Sequence, residues 1–215
     1  MKKYVIVVCL FFVAFLSKAQ DDSDKKKKSD MGLLFFMGIN NASLSGDDNY
    51  NGSIFGFHTG FGIKLANISK SWDAQSELLY SQQGGKSSYG SDTYGGKSTL
   101  KLNYINLGIL AHYQSNTGFF GEAGLQPGLL VSAKKKSSFT GYGGGQDPET
   151  TDVKKDLNSL SLGVPIGAGY VFKKKLGVSV RFVPGLLNIN KKVDGASSEM
   201  KPKNSVLSAR VSYFL

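Results

Sequence analysis

Leu207-Ser208-Ala209-Arg210-Val211-Ser212-Tyr213-Phe214-Leu215, the last nine residues of the chain, decide how the rest is read. Every second position, Leu207, Ala209, Val211, Tyr213 and Leu215, forms one apolar file, and Ser208, Arg210 and Ser212 form a polar file between them. Period two is the signature of a strand whose two faces meet different surroundings. A wet-faced soluble sheet alternates in the same way, so the choice between water and lipid rests on the other end of the chain and on repetition.

The other end reads as an export signal. Lys2 and Lys3 precede an apolar run from Tyr4 to Leu16, and Ser17-Lys18-Ala19 has the small-x-small form of a cleavage site before Gln20. Residues 1–19 are therefore expected to be a signal peptide, too short in its apolar run for a comfortable membrane anchor. Cleavage after Ala19 would remove Cys9, the single cysteine, and with it disulfide or thiol chemistry. Without Lys2, Lys3 and Lys18 the 26 basic residues become 23 against 16 acids, a charge of +7. For an exported chain this balance points to anionic lipid headgroups and lipopolysaccharide, and no nucleic-acid partner is expected. Residues 20–30, with Asp21-Asp22-Ser23-Asp24 followed by Lys25 to Lys28, carry no apolar content and read as a charged flexible tail.

Working back from the closing stretch, the same alternation recurs through residues 31–215, which read as one domain. Leu33, Phe35, Met37 and Ile39 alternate with small and polar residues; Phe55, Phe57, Phe61 and Ile63 alternate with glycines and His58. Further strands are expected near Trp72–Tyr80, Thr99–Tyr113, Phe119–Val131, Leu160–Phe172 and Val178–Leu186. The strand near Thr99–Tyr113 is the least regular, with Leu100 and Leu102 out of parity with its apolar file. The total is about eight strands of membrane-crossing length. Gly46–Gly52, Gly84–Lys97, Lys134–Asp156 and Asn190–Lys203 read as long loops, and Ala66–Lys70, Gln114–Gly118 and Lys173–Lys175 as short turns. Long and short connections alternate, as an up-and-down antiparallel transmembrane β-barrel requires. The fold expected is all-β, in the cell outer membrane.

The file opposite the bulky residues holds His58, Lys64, Asp73, Glu77, Glu122, Arg181 and Arg210 among glycines and serines. A narrow barrel fills its interior with side chains, and buried charges must pair. Glu77, Glu122, Arg181 and Arg210 are therefore expected to form a charge network that plugs the lumen. Lys134, Lys135, Lys136, Lys154 and Lys155 flank the longest loop and are the candidates for contact with lipopolysaccharide.

Other chemistry has little to stand on. His58 and His112 have no metal-ligand spacing. Asp147, Glu149 and Asp152 lack a recognised calcium-loop pattern, and Gly143-Gly144-Gly145 has no strand-to-helix context for phosphate. No Ser/His/acid set stands out, so no catalytic residue, metal or cofactor is expected. Two rival readings remain: an outer-membrane lipid-modifying enzyme on a small barrel, and a soluble periplasmic lipid-binding barrel.

The chain resembles the PorT-like outer-membrane β-barrel family of Bacteroidota. The residues that carry the resemblance are Leu102-Asn103-Tyr104-Ile105-Asn106-Leu107-Gly108-Ile109-Leu110, Phe119-Phe120-Gly121-Glu122-Ala123-Gly124, Gly167-Ala168-Gly169-Tyr170-Val171-Phe172, Arg181-Phe182 with Gly185-Leu186-Leu187-Asn188-Ile189, and the terminal strand. The resemblance implies a small, porin-like cell-envelope barrel without catalytic residues, and a possible secretion-system or external partner. It also implies that the barrel-assembly machinery reads Phe214 and Leu215 during insertion.

Overall fold

The computed structural model describes residues 32–46, 50–90, 94–141, 144–145, 147–173, 175–191 and 201–215. The expected signal peptide and charged tail lie outside these residues. Eleven strands follow in order: β1 (Leu33–Ser45), β2 (Ile54–Asn67), β3 (Trp72–Gly90), β4 (Gly95–Gln114), β5 (Phe119–Gly141), β6 (Gly144–Gly145), β7 (Glu149–Asp152), β8 (Leu160–Gly163), β9 (Ile166–Phe172), β10 (Leu176–Pro184) and β11 (Lys203–Phe214). Setting aside the short β6 and β7 and joining β8 to β9 leaves eight staves, antiparallel and in sequence order.

The ring closes where the first and last strands meet. β1 pairs with β11 from Leu34↔Phe214 to Ser45↔Lys203 without a slip, and Leu215 N–H donates to the Leu33 carbonyl at 2.9 Å. Closure satisfies the backbone groups that an open edge would leave unpaired. β8 and β9 keep one register against β5, Gln126↔Gly163 and then Ala123↔Ile166, so they form a single stave. The break falls at Val164-Pro165, where proline has no N–H to give; its carbonyl still accepts from Gly124 N at 3.1 Å.

Alternation puts the bulky file outside. Met37 is 66% exposed, Val180 56% and Val211 48%, while Arg181 and Arg210 between such residues are buried. An apolar exterior around the whole ring inverts the arrangement of a soluble domain, which rarely leaves large contiguous apolar patches in water. Next to the short turns the exterior carries aromatic pairs, Trp72 with Tyr113 at 5.2 Å and Phe119 with Tyr170 at 4.9 Å between ring centres. Rings of this kind suit a membrane–water boundary. At the turn before β5, Gly118 has φ 99°, and a Cβ there would meet the Val171 carbonyl at 2.8 Å.

Two segments differ from the sequence reading. Gly84–Lys97 reads as a loop, yet β3 and β4 stay paired up to Gly90↔Gly95, and β5 runs on to Gly141 instead of ending before Lys134. These stretches have no apolar periodicity because they extend past the apolar exterior. Their register is inherited from the staves below, where each added backbone pair costs no new chain reversal.

The interior is layered. Leu34 and Phe36 of β1, on the short-turn side, pack with Phe214 and with Leu79 of β3. Leu44, Leu100, Leu102, Tyr104, Leu130, Ala133, Leu157 and Ile189 cluster near the long-loop end. Leu100 and Leu102, out of parity with the outward file, are therefore interior residues near the long-loop end. Leu157 follows the short 3₁₀ turn Lys154–Asp156, and Ile189 lies in the segment between β10 and β11.

Candidate functional site

The two acids and two arginines meet in the middle of the barrel. Glu77 comes from β3 and Glu122 from β5; Arg181 and Arg210 come from β10 and β11 across the ring. Arg181 donates from Nη1 to Glu77 Oε2 at 2.7 Å, from Nη2 to Glu77 Oε1 at 3.1 Å, and from Nε to Glu122 Oε1 at 2.7 Å. Arg210 donates from Nη1 to Glu77 Oε1 at 2.8 Å and from Nη2 to both Glu122 oxygens at 3.3 Å. Its Nε donates to Ser179 Oγ at 3.3 Å, and its guanidinium stands 4.6 Å from the centre of the Phe36 ring.

All four side chains are at most 6% exposed, and their formal charges cancel. Each acid bonds both arginines. Burial of this kind is tolerated only when the ions satisfy one another, and bidentate guanidinium–carboxylate geometry is the strongest way to do it. The cluster ties opposite walls of the ring together.

Neighbouring glycines make the room. Glu77 is flanked across its two neighbouring strands by Gly62 and Gly108, and Arg210 has Gly38 beside it. Gly167 lies between Glu122 and Arg181, and a Cβ there would stand 2.7 Å from Glu122 Oε1. At Gly38 a Cβ would meet the Ala209 carbonyl at 2.1 Å and His58 Cε1 at 2.6 Å. The alternation of glycine with charge along these strands is thus a packing requirement: long ionic side chains occupy the volume that neighbouring side chains would have taken.

The two histidines serve separate polar groups. Asn40 Nδ2 donates to Ser81 Oγ at 3.0 Å and to the Gln82 carbonyl at 2.9 Å, so its Oδ1 is the acceptor for His58 Nδ1 at 2.8 Å. His112 Nδ1 lies 3.3 Å from Asp73 Oδ2, which also faces Lys64 Nζ at 3.3 Å; Gln75 donates to the other Asp73 oxygen at 2.8 Å. Among the described residues no group of three or more His, Cys, Asp or Glu is arranged to hold a metal.

The five lysines named at the longest loop are spread over different surfaces. Lys134 and Lys136 lie on the outer face of β5, and Lys135 between them lies on the opposite face, across from Leu100. Lys154 Nζ donates to the Val131 carbonyl at 2.8 Å. Val131 is the extra residue of a bulge, Asn103 pairing with Ser132 and Tyr104 with Leu130. Lys155 is exposed in the 3₁₀ turn, and its carbonyl accepts from Lys191 Nζ. Sequence reading passed over Lys86, Lys97 and Lys101, because they fall in segments read as loop or as the start of a strand. Their faces become defined only through cross-strand register.

Comparison with known proteins gives a consistent architecture. A family model described as "Outer membrane protein beta-barrel domain" matches residues 18–191. Among solved structures, Neisserial surface protein A is 15% identical with a TM-score of 0.51, covering 84% of this chain and 96% of that one. Ail, the attachment invasion locus protein of Yersinia pestis, is 11% identical with a TM-score of 0.47, covering 86% of this chain and 99% of that one. No curated protein matches the sequence.

Proposed function

We propose, from the premise that this chain belongs to the outer membrane protein β-barrel domain family and is an integral protein of the outer membrane, that it is a non-enzymatic barrel with a plugged lumen. Its long hairpins meet lipopolysaccharide or an external or secretion-system partner. The observation that carries the reading is the buried, charge-neutral cluster of Glu77, Glu122, Arg181 and Arg210, which joins β3 and β5 to β10 and β11. An ion entering the lumen would have to separate pairs whose components are costly to leave alone. In line with the non-enzymatic reading, the side-chain hydrogen bonds of His58 and His112 among the described residues go to Asn40 and Asp73, and none goes to a serine.

The enzyme reading has no observation of its own. The soluble lipid-binding reading is set aside with the outer-membrane assignment and the apolar exterior around the ring. The test is conductance: purified barrel reconstituted in a planar bilayer is expected to give no stable current. Long-lived, ion-selective channels from the unaltered chain would overturn the plugged reading.

A further inference from the structure

We infer that the outer faces of β3, β4 and β5 above the apolar band form one binding surface for the phosphate groups of outer-leaflet lipid, with Lys101 and Lys134 at its centre. The inference rests on the reading of lipopolysaccharide contact and narrows it to a face and a headgroup.

Register assembles the surface. Lys101 is directly opposite Lys134; one step outward Lys86 is opposite Thr99, which is opposite Lys136; beyond that Ser88, Lys97 and Ser138 align. Directly paired residues share a face, so Lys86, Lys97, Lys101, Lys134 and Lys136 all project on one side, and all are exposed. Across the sheet at the Lys101 and Lys134 positions only Asp152 of β7 brings a negative charge to this face, and its Oδ1 accepts from the Lys154 backbone N–H at 2.9 Å. Among the described residues the recorded ion pairs include none of the five lysines.

Like charges directly opposite on neighbouring strands repel and cost stability. Two paired lysines with a third on the diagonal are therefore an arrangement that an anion between them would relieve. Height selects the anion. Along the outer file of β4, Tyr113, Ala111, Ile109, Leu107 and Ile105 give way to Asn103 and then Lys101. Tyr113 to Asn103 is ten steps, about 34 Å along the strand, or about 26 Å of height at a tilt of roughly 40°, which is the height of the apolar band of such a barrel. Lys101 and Lys134 thus stand one step above the hydrocarbon edge, in the phosphate layer, and face outward toward lipid. A soluble ligand entering from above would meet the tip and mouth before this side wall.

The experiment is native mass spectrometry of the purified full barrel with two probes, bis-phosphorylated lipid A and its dephosphorylated form. Two variants of equal charge loss are compared, Lys101→Gln/Lys134→Gln and Lys135→Gln/Lys155→Gln, with folding of each checked by heat-modifiable electrophoretic mobility. The expected result is retention of the phosphorylated probe over the dephosphorylated one. The first variant should weaken it about 25-fold, about fivefold per lysine, and the second by less than about twofold. Equal weakening by both variants, or a larger loss in the second, would overturn this surface while leaving lipid-phosphate contact in place. Equal binding of the two probes by the unaltered barrel would overturn both. Tighter binding of a soluble sulfated oligosaccharide through Lys101 and Lys134 would assign the face to an external polyanion and overturn the lipid proposal.

Discussion

Glu77 is the residue on which the interior depends, because it is nearly inaccessible and accepts from three guanidinium nitrogens, two of Arg181 and one of Arg210. Its replacement by glutamine would leave two arginines facing a single carboxylate, an uncompensated buried charge that costs about 3–5 kcal/mol. Glu77→Gln is expected to lower the unfolding midpoint in urea, measured on barrels in lipid vesicles. Glu77→Met/Arg181→Met, which keeps Arg210 paired with Glu122 and restores neutrality, should recover most of the loss. If the double variant is no more stable than the single one, charge balance is not what the cluster supplies. The polar file already showed these four residues in the sequence, since they fall opposite the bulky apolar file, in a file of glycines and serines. Which acid meets which arginine was not visible, because the partners lie as far apart as 133 positions along the chain.

At the scale of elements, β11 carries the closure. Phe214 N–H donates to the Lys175 carbonyl at 2.8 Å, Leu215 N–H to Leu33, and the Phe214 side chain packs with Leu34, Phe36 and Leu79. Deleting Phe214 and Leu215 removes both backbone bonds and one ring from the short-turn end. The truncated chain is expected to show a reduced folded, heat-modifiable fraction in outer-membrane preparations; assembly at the unaltered level would count against a role for these residues in insertion or closure. The strands with strong apolar alternation were legible within a few residues. The upper halves of β3, β4 and β5 were not. Their Gly/Ser/Lys composition resembles a loop, and what makes them strands is pairing with neighbours already in register.

Taken as a whole, a plugged lumen as proposed would have two layers in series: the charge cluster and, nearer the long loops, the apolar cluster around Leu100, Leu102, Leu130, Leu157 and Ile189. Opening either alone leaves the other in the path. Glu77→Ala/Arg181→Ala and Leu102→Ala/Leu157→Ala are each expected to remain silent in planar bilayers, and the four substitutions together to conduct. Conductance from either pair alone would show that a single layer seals the barrel. The sequence by itself determined the barrel, its strand order and the sense of its faces, because period two and alternating loop lengths are local properties that an up-and-down ring merely joins end to end. The tertiary structure alone decided the contacts between strands. It turned Leu100 and Leu102 into an interior core, matched Arg181 to two acids, and brought Lys101 opposite Lys134. Each of these depends on register between strands, which no single strand's sequence contains. The closing stretch shows both halves at once: its alternation sent Arg210 inward, and the opposite wall supplied Glu77.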